Sequence, residues 1–366
     1  MPNFGQAAPS NLNISFDSIF ATSVINAKKR ITDNISNSNP FFYEMKKNGM
    51  YESEPSGGPL IQEDLMYALT PTDSYDGYDT LNTTPPEGIT AAFFQWRQTA
   101  TPISYSELER KKNKNRVVNF IEARIKQSEL GAIDFFTKSI FQGNVLNAGP
   151  GLANLYTART STSNGSFACD PLPYFVQKDP TVATSPYNVV GAIDQSAYPF
   201  WRNKVKDVTG TTTNIAFLAQ MDNLYNTCSI GPGGGPDLIL VDQVTWEVWR
   251  AAYLAVYRRT TDADNDYPFP NFKFNKARVI WDESFPNLSA GSTDPTVANG
   301  GGALFLNTQF MKVRYEAETD FIQTEFVRPA NQDAKSAHIL WMGNITINDR
   351  RKLGCAFNIP RAGVMV

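Results

Sequence analysis

The spacing of hydrophobic residues along this chain predicts both helices and strands. The longest helical pattern starts after Asn115, a candidate N-cap, and stops near Gly143 and Asn144. About 26 residues would give a helix roughly 39 Å long. One face would pack in a core, and the other would face solvent or a lumen. The predicted core stripe consists of Val117, Ile121, Ile125, Ser128, Ala132, Phe135 and Ile140.

The second half of the chain shows a tighter succession of elements. Residues 213–228 have helical spacing, residues 237–242 form a short apolar strand, and residues 243–259 form a second amphipathic helix. A wholly apolar strand is expected in a sheet that is covered on both faces. Strand patterns then recur at 275–285, 302–316, 319–332 and 338–347. Helix, strand and helix followed by a run of strands predict an α+β fold.

An apolar ribbon, residues 89–96, follows a stretch that is rich in turn residues. Ile89 and Phe93 project to one side of an extended strand, and Phe94 and Trp96 project to the other. The preceding residues, about 30 in number, are predicted to be loop because Pro, Gly, Asp, Asn and Ser recur there. The ribbon could pack against neighbouring copies of the chain or within a local hairpin, and both alternatives stay open.

Composition narrows the class of protein. The 366 residues are 42% hydrophobic and carry a net charge of -3, which allows a substantial core but no strong basic field for nucleic-acid or membrane binding. No apolar run approaches the ~20 residues that span a bilayer, and the start lacks a signal-peptide pattern, so we expect a cytoplasmic location. Cys169, Cys228 and Cys355 have no paired spacing and are expected to be buried thiols in a reducing compartment.

The sequence offers little catalytic chemistry. His338 is the only histidine, and the alternating segment around it predicts a packed or half-exposed strand residue. The glycine-rich segments at 229–237 and 298–305 do not have the pattern of a phosphate loop and are predicted to be connections.

An acidic run at residues 261–267 resembles the start of a calcium loop. Asp262, Asp264 and Asp266 alternate, but Tyr267 and Lys273 stand where that loop needs Gly and Glu. We therefore predict no catalytic residue, no cofactor and no metal, and a protein that is not an enzyme. A distant pair of carboxylates keeps a carbohydrate-active enzyme as a remaining alternative.

Several segments between about Gly49 and Phe357 together resemble the major capsid proteins of tailed bacteriophages, which have the Hong Kong 97-type fold. The resemblance lies in the order and spacing of these segments. They are "GGPLIQEDLMYALTPTDSYDGYDTL", "TAAFFQWRQTATPISYSELERKKN", "GPGLANL", "GPDLILVDQVTWEVW", "VIWDESF", "ALFLNTQFMKVRY" and "RPANQDAKSAHILWMGNITINDRRKLGCAF".

The resemblance implies a division of the chain into four parts. They are an N-terminal arm at 1–45, an extended β-hairpin loop at 46–108, a peripheral domain at 109–150 and 302–345 with the long helix as its spine, and an axial α/β domain at 151–301 and 346–366. No scaffolding segment of around a hundred residues precedes the extended loop, so we expect a separate scaffolding protein or earlier processing.

The resemblance also implies a function. The protein would form hexamers and pentamers of an icosahedral shell that encloses double-stranded DNA, assembling in the host cytoplasm and residing in the virion. Its implied partners are identical copies, a portal, a scaffolding protein and packaged DNA, with a decoration protein as a further one that the resemblance allows and with no membrane. An encapsulin-like nanocompartment, which has the same fold and holds protein cargo, is the nearest alternative.

Two sets of residues are candidates for contacts in such a shell. The predicted subunit-interface residues are Ile89, Phe93, Phe94, Trp96, Tyr75 and Tyr78. The predicted charge contacts, either with DNA or between subunits, are Lys28, Lys29, Arg30, Lys111, Lys112 and Lys114.

Overall fold

The computed structural model confirms that helices and sheets are mixed along the chain. It describes residues 47–54, 57–70, 72–81, 84, 87–112, 120–142, 169–181, 188–257, 271–285, 288, 301–320, 322–329 and 331–360. The predicted arm with Lys28, Lys29 and Arg30, the candidate Lys114 and the acidic run at 261–267 lie outside the described residues.

Fifteen strands and five α-helices are found in the described part of the chain. The strands are β1 (Tyr51–Ser53), β2 (Leu60–Met66), β3 (Ile89–Gln95), β4 (Arg97–Ser106), β5 (Val189–Val190), β6 (Ile193–Asp194), β7 (Lys204–Asp207), β8 (Leu238–Val241), β9 (Asn271–Phe274), β10 (Ala277–Trp281), β11 (Gly301–Leu306), β12 (Met311–Tyr315), β13 (Ile322–Gln323), β14 (Ala334–Ile347) and β15 (Gly354–Ile359). The helices are α1 (Glu107–Lys112), α2 (Phe120–Gln142), α3 (Leu172–Phe175), α4 (Asn214–Ser229) and α5 (Gln243–Tyr257).

The long strand β14 is the centre of a five-stranded sheet. Leu340 lies opposite Ala100 of β4 on one edge and opposite Ile322 of β13 on the other. Farther along, β14 pairs with β12, and β1 adds to β12 in parallel. Helix α2 packs along β4, where the Ser128 hydroxyl donates a hydrogen bond to the Pro102 carbonyl at 3.4 Å.

A six-stranded sheet in the order β7-β15-β11-β8-β10-β9 forms the second half of the fold. Its alternate residues point into two hydrophobic clusters: Ile239 and Val241 face α4 and α5, whereas Leu238 and Leu240 face the opposite side. The prediction that the apolar strand at 237–242 is covered on both faces is therefore confirmed.

The two helices predicted around that strand are also confirmed. Helix α4 starts after Thr213, whose hydroxyl accepts a hydrogen bond from the Ala216 amide at 3.2 Å. In α5, Trp249 is fully buried and meets Phe217 of α4 edge to face, with 5.7 Å between ring centroids. The two amphipathic faces therefore meet each other as well as the sheet.

One part of the predicted stripe on the long helix is wrong. Ala132 and Ile140 are buried, but Phe135 is 47% exposed. The buried residues near the end of α2 are Ser139, Ile140 and Phe141, which centre on Ile140. Phe135 precedes Ile140 by five residues and so lies about 140° around the helix from it.

The loop predicted before the apolar ribbon is also partly wrong, because residues 60–66 form strand β2. The first group of turn signals ends at Pro59, and the strand that follows it pairs residue for residue with β3. The division into sheets places β1 and β4 with β14, and β11 with the six-stranded sheet. Strand β11 ends at Leu306, and β12 of the five-stranded sheet begins at Met311.

Candidate subunit-interaction surface

Strands β2 and β3 form an antiparallel hairpin with one buried and one exposed face. The register places Leu60 opposite Gln95 and Met66 opposite Ile89. Side chains on the inner face are buried in the core of the same chain: Ile61, Leu65, Ala92 and Phe94. The ribbon therefore does find a core within its own subunit, on one of its two faces.

This placement corrects the interface prediction for Phe94 and leaves that for Trp96 open. Phe94 is only 2% exposed, and its ring meets Phe175 edge to face at 5.9 Å between centroids. Trp96 is half-buried against the same core, and its indole Nε1 donates a hydrogen bond to the Gly58 carbonyl at 3.0 Å. Phe94 is thus a core residue without a free surface for a neighbour, whereas the interface role of the partly exposed Trp96 stays a prediction.

A tight turn between β5 and β6 closes over the hairpin. The amide of Phe93 donates a hydrogen bond to the Gly191 carbonyl at 3.0 Å. Gly191 has a φ of +58°, and a Cβ there would lie 2.9 Å from both the Ala92 Cβ and the Phe94 Cζ. Only glycine combines this backbone conformation with so close an approach.

A polar contact, here called the clasp, fixes β2 to the five-stranded sheet. Glu63 accepts hydrogen bonds from Arg314 Nε at 2.9 Å and from the Thr346 hydroxyl at 2.8 Å. Arg314 also contacts Glu52 at 2.8 Å, and Lys312 reaches Glu52 at the same distance. Burial alone would lower the pKa of Arg314, but the hydrogen bond and charge of Glu63, with the charge of Glu52, raise it above its ordinary value.

The base of the hairpin is joined to the fold by a buried ion pair as well. Arg97 contacts Asp170 at 3.0 Å, and both side chains are almost fully buried. Asn344 of β14 donates to Asp170 at 3.0 Å and to the Gln95 carbonyl at 2.8 Å. Since an unpaired buried charge is costly, this set of contacts strongly favours one position of the hairpin base.

The outer face of the hairpin is exposed. So is most of the described part of the connection between β2 and β3, residues 67–88. Ile89 is 78% exposed and Phe93 is 41% exposed. Of the sixteen large apolar side chains that are exposed among the described residues, eight fall in the hairpin and its connection. They are Leu60, Met66, Leu69, Tyr75, Tyr78, Leu81, Ile89 and Phe93. An apolar surface of this kind is typical of an interaction site.

The middle of the connection forms a turn that is closed by its own hydrogen bonds. The amide of Asp79 donates to the Asp76 carbonyl at 2.8 Å, and the amide of Asp76 donates to the Asp79 carboxylate at 2.9 Å. Tyr78 is fully exposed at this turn, and Tyr75 is 65% exposed beside it. We call residues 75–79 the tip turn. The predicted interface residues Tyr75 and Tyr78 are thus free of the subunit's own core.

The described candidates for charge contacts lie elsewhere. Lys111 and Lys112 are exposed at the C-terminal end of α1, which follows β4. They therefore lie beyond the end of β4 that pairs with Ala334 of β14.

The three cysteine thiols are placed unfavourably for nucleophilic chemistry. His338 is exposed on β14, and burial raises the pKa of the Cys169, Cys228 and Cys355 thiols to about 12. Such thiols stay protonated at neutral pH, and the thiolate is the reactive form. Within the described ranges, no group of three or more His, Cys, Asp or Glu residues is placed to hold a metal ion. No helix in that part of the chain is long and apolar enough to cross a membrane.

Nothing in the sequence signalled the clasp or a second polar anchor, Arg350. Glu63 and Arg314 are 251 residues apart. Arg350 is fully buried and donates to Phe175 O, Gln195 Oε1 and Trp201 O at 2.7–2.9 Å. Burial lowers the pKa of this guanidinium. Because every one of these acceptors is neutral, none of them offsets that effect with a negative charge. Arginines are mostly exposed, so only the tertiary structure could identify this one.

Comparison with known proteins identifies solved structures that share this fold. No protein-family model and no curated protein sequence matches the chain. Among solved structures, the cyanophage A-1(L) capsid asymmetric unit matches with a TM-score of 0.65 and 13% identity, over 91% of this chain and 96% of that one. The holo-SrpI encapsulin complex from Synechococcus elongatus PCC 7942 matches with a TM-score of 0.54 and 8% identity, over 93% of this chain and 95% of that one.

The fold is therefore that of proteins found in capsid and encapsulin shells. More narrowly, it is the α+β fold of the Hong Kong 97 type, and the fold predicted from the sequence is confirmed.

Proposed function

We propose that this protein is the major capsid protein of a tailed double-stranded DNA bacteriophage, assembling as hexamers and pentamers into an icosahedral shell around the genome. The observation that carries the proposal is the likeness to the cyanophage A-1(L) capsid subunit, which extends over almost the whole of both chains. The exposed apolar face of the hairpin gives independent support, because identical copies can cover a surface that one copy leaves open.

The parts of the fold receive roles in this proposal. The hairpin and its connection, within 46–108, lean over a neighbouring subunit. Helix α2 and the five-stranded sheet form the peripheral domain. The six-stranded sheet, with α4 and α5, forms the axial domain that clusters around five-fold and six-fold positions. The arm at 1–45 becomes ordered on a partner surface.

The proposed partners follow from the same function. They are identical copies, a portal, a separate scaffolding protein and, as an optional addition, a decoration protein. Contact with DNA would be weak and non-specific, since the chain carries a net charge of -3. Lys28, Lys29, Arg30, Lys111, Lys112 and Lys114 are the candidates for it or for charge contacts between subunits. The shell would assemble in the host cytoplasm and persist in the virion.

Assembly of the full-length protein tests the proposal. Purified protein should yield closed particles in negative-stain images and a fast-sedimenting boundary in velocity centrifugation. The fraction in particles should rise steeply with protein concentration, because each subunit contacts several others. Discrete monomers at high concentration, with a well-ordered hairpin, would contradict the proposal.

An encapsulin-like nanocompartment is the second candidate function, favoured by the likeness to the encapsulin complex from Synechococcus elongatus. Both candidates predict closed shells, so the contents discriminate between them. Particles isolated from the native source should contain double-stranded DNA, measured by absorbance ratio and nuclease protection after disruption. Particles that hold a protein cargo and no DNA would replace the first candidate with the second. No observation on the described residues favours the carbohydrate-active enzyme.

A further inference from the structure

The hairpin and its flanks have a one-sided charge. Between Asn48 and Trp96 the sequence contains eight acidic residues and no Lys, Arg or His. Glu52, Glu54 and Glu63 face the basic side chains of β12, at the clasp. The other five acidic side chains are exposed and form no ion pair with the described residues. They are Asp64, Asp73, Asp76, Asp79 and Glu87.

The tip turn presents part of this charge together with aromatic rings. Besides the two bonds between Asp76 and Asp79, the Gly77 amide donates to the Asp76 carboxylate at 2.8 Å. The turn is therefore held by local bonds, and Tyr75 and Tyr78 project from it into solvent. Carboxylates beside exposed tyrosine rings suit a cationic partner, which can form ion pairs and lie over a ring face at the same time. Little conformational entropy is lost on docking, because the turn is already formed.

The chain between the hairpin and the tip turn is long enough for the turn to reach past the strands towards another copy. Strand pairing continues to the bond from the Tyr67 amide to the Gly88 carbonyl at 2.9 Å. About ten residues separate that bond from Gly77, and an extended chain covers at most roughly 33 Å over such a length. Every described residue from 72 to 81 is exposed, so this segment is not covered by the rest of its own chain.

A matching surface lies on α1. Lys111 and Lys112 are exposed, and neither forms an ion pair with a described residue. Leu108, one turn earlier, is also exposed and lies on the same side of the helix. The run from Arg110 to Arg116 has five basic residues in seven positions, counted in the sequence. The two cations beside an apolar side chain are thus complementary in charge to the two carboxylates beside the tyrosine rings of the tip turn.

We propose that the tip turn of one copy docks on Leu108, Lys111 and Lys112 of another copy. Both surfaces are exposed on the same chain, so each copy offers one of each, and a head-to-tail contact of this kind generates a ring when the rotation closes. The inference rests on the proposed shell function and deepens it, because it assigns the exposed lysines to a subunit contact. Binding of DNA phosphates at the same lysines is the competing outcome.

Charge reversal in the full-length protein tests this pairing. One variant carries Asp76→Lys and Asp79→Lys, a second carries Lys111→Glu and Lys112→Glu, and a third combines all four changes. Each of the first two should lower the yield of particles roughly tenfold, since like charges then meet across the contact. The combined variant should recover most of the wild-type yield, because its charges are again opposite.

Two controls separate the pairing from a general effect of charge. The variant with Lys126→Glu and Lys138→Glu reverses two exposed basic residues of α2, outside the proposed contacts, and should assemble like the wild type. Tyr78→Ser should reduce particle yield without changing the melting temperature of the dissociated subunit, because the ring touches nothing in its own chain.

The outcomes are distinguishable. If the combined variant is as defective as its parents, or if both parents assemble like the control, the pairing is wrong while the shell function stands. If the Lys111 and Lys112 variant forms normal particles that carry less nucleic acid, these lysines serve DNA instead. A wild-type protein that forms no particles contradicts the shell function and the pairing with it.

Discussion

Two adjacent phenylalanines on β3 provide a matched test of which hairpin face belongs to the core. Phe94 is 2% exposed and packs among Ile61, Ala92 and Phe175, whereas Phe93 is 41% exposed on the outer face. The two residues have the same side chain, the same strand and almost the same position. A difference between their alanine variants therefore reports burial and not chemistry.

The expected magnitudes follow from burial. Truncating a fully buried phenylalanine costs about 3–5 kcal/mol, since the lost transfer free energy adds to that of the cavity left behind. For Phe93→Ala we expect about 1 kcal/mol or less, because a large part of the ring is already in water. The hydrogen bond from the Phe93 amide to Gly191 is made by the backbone and survives the substitution.

The assay compares folding and assembly for both variants. Urea denaturation of dissociated subunits at low concentration measures the free energy of unfolding, and sedimentation at high concentration measures the fraction in particles. Phe94→Ala should lower stability strongly. Phe93→Ala should lower the particle fraction by about tenfold or more while leaving the urea midpoint nearly unchanged, because a contact of about 1.5 kcal/mol is repeated for every subunit. Equal losses of stability in the two variants would refute the assignment of faces.

Three further predictions concern groups inside the subunit. Glu63→Gln keeps the size of the side chain but removes a charge-assisted bond, so it should cost about 1–2 kcal/mol in urea denaturation at low salt, and Asp64→Asn is its exposed control. Arg350→Met leaves several buried carbonyl and amide oxygens without their donor and should cost more than about 3 kcal/mol by the same measurement; a stable variant would show that the anchor is dispensable. The three buried thiols should resist alkylation in the folded protein at pH 8 and react fully in urea. Their pKa values, raised to about 12, also mean that stability is fully present below the ordinary thiol pKa and is lost as pH rises from about 9 towards 12, which denaturation curves across that range can check.

The elements that could be predicted from the sequence are those whose pattern is local. The faces of α4 and α5 and the apolar strand β8 follow from periods of 3.6 and 2, which need no knowledge of the partner. The alternation along β3 likewise shows that Phe93 and Phe94 point in opposite directions. It does not show which of the two directions leads to the core, because that depends on where β2 and the Gly191 turn pack.

The remaining features depend on residues that are far apart in the sequence. Strand β2 follows glycine and proline turn signals, and its identity comes from pairing with β3 more than twenty positions later. The clasp joins Glu63 to Arg314, and charged residues are usually exposed, so neither residue carries a sequence signal for pairing. Phe135 belongs to the predicted stripe but lies about 140° around α2 from the buried Ile140, and the partners that decide which side is buried are distant in the sequence.

The hairpin combines a strongly held base with a free end, and this division would have a physical reason in the proposed shell. A base held by the clasp, by Gly191 and by the buried pair of Arg97 and Asp170 keeps the direction of the hairpin nearly constant in every copy. Copies in pentamers and hexamers would nevertheless meet neighbours at different angles. A contact made of surface charges and two tyrosine rings tolerates such variation better than a tightly packed apolar contact, since charge attraction changes slowly with distance and packing changes steeply. The exposed tip and the firmly held base of one hairpin are thus suited to different tasks, adaptation to the neighbour and attachment to the subunit.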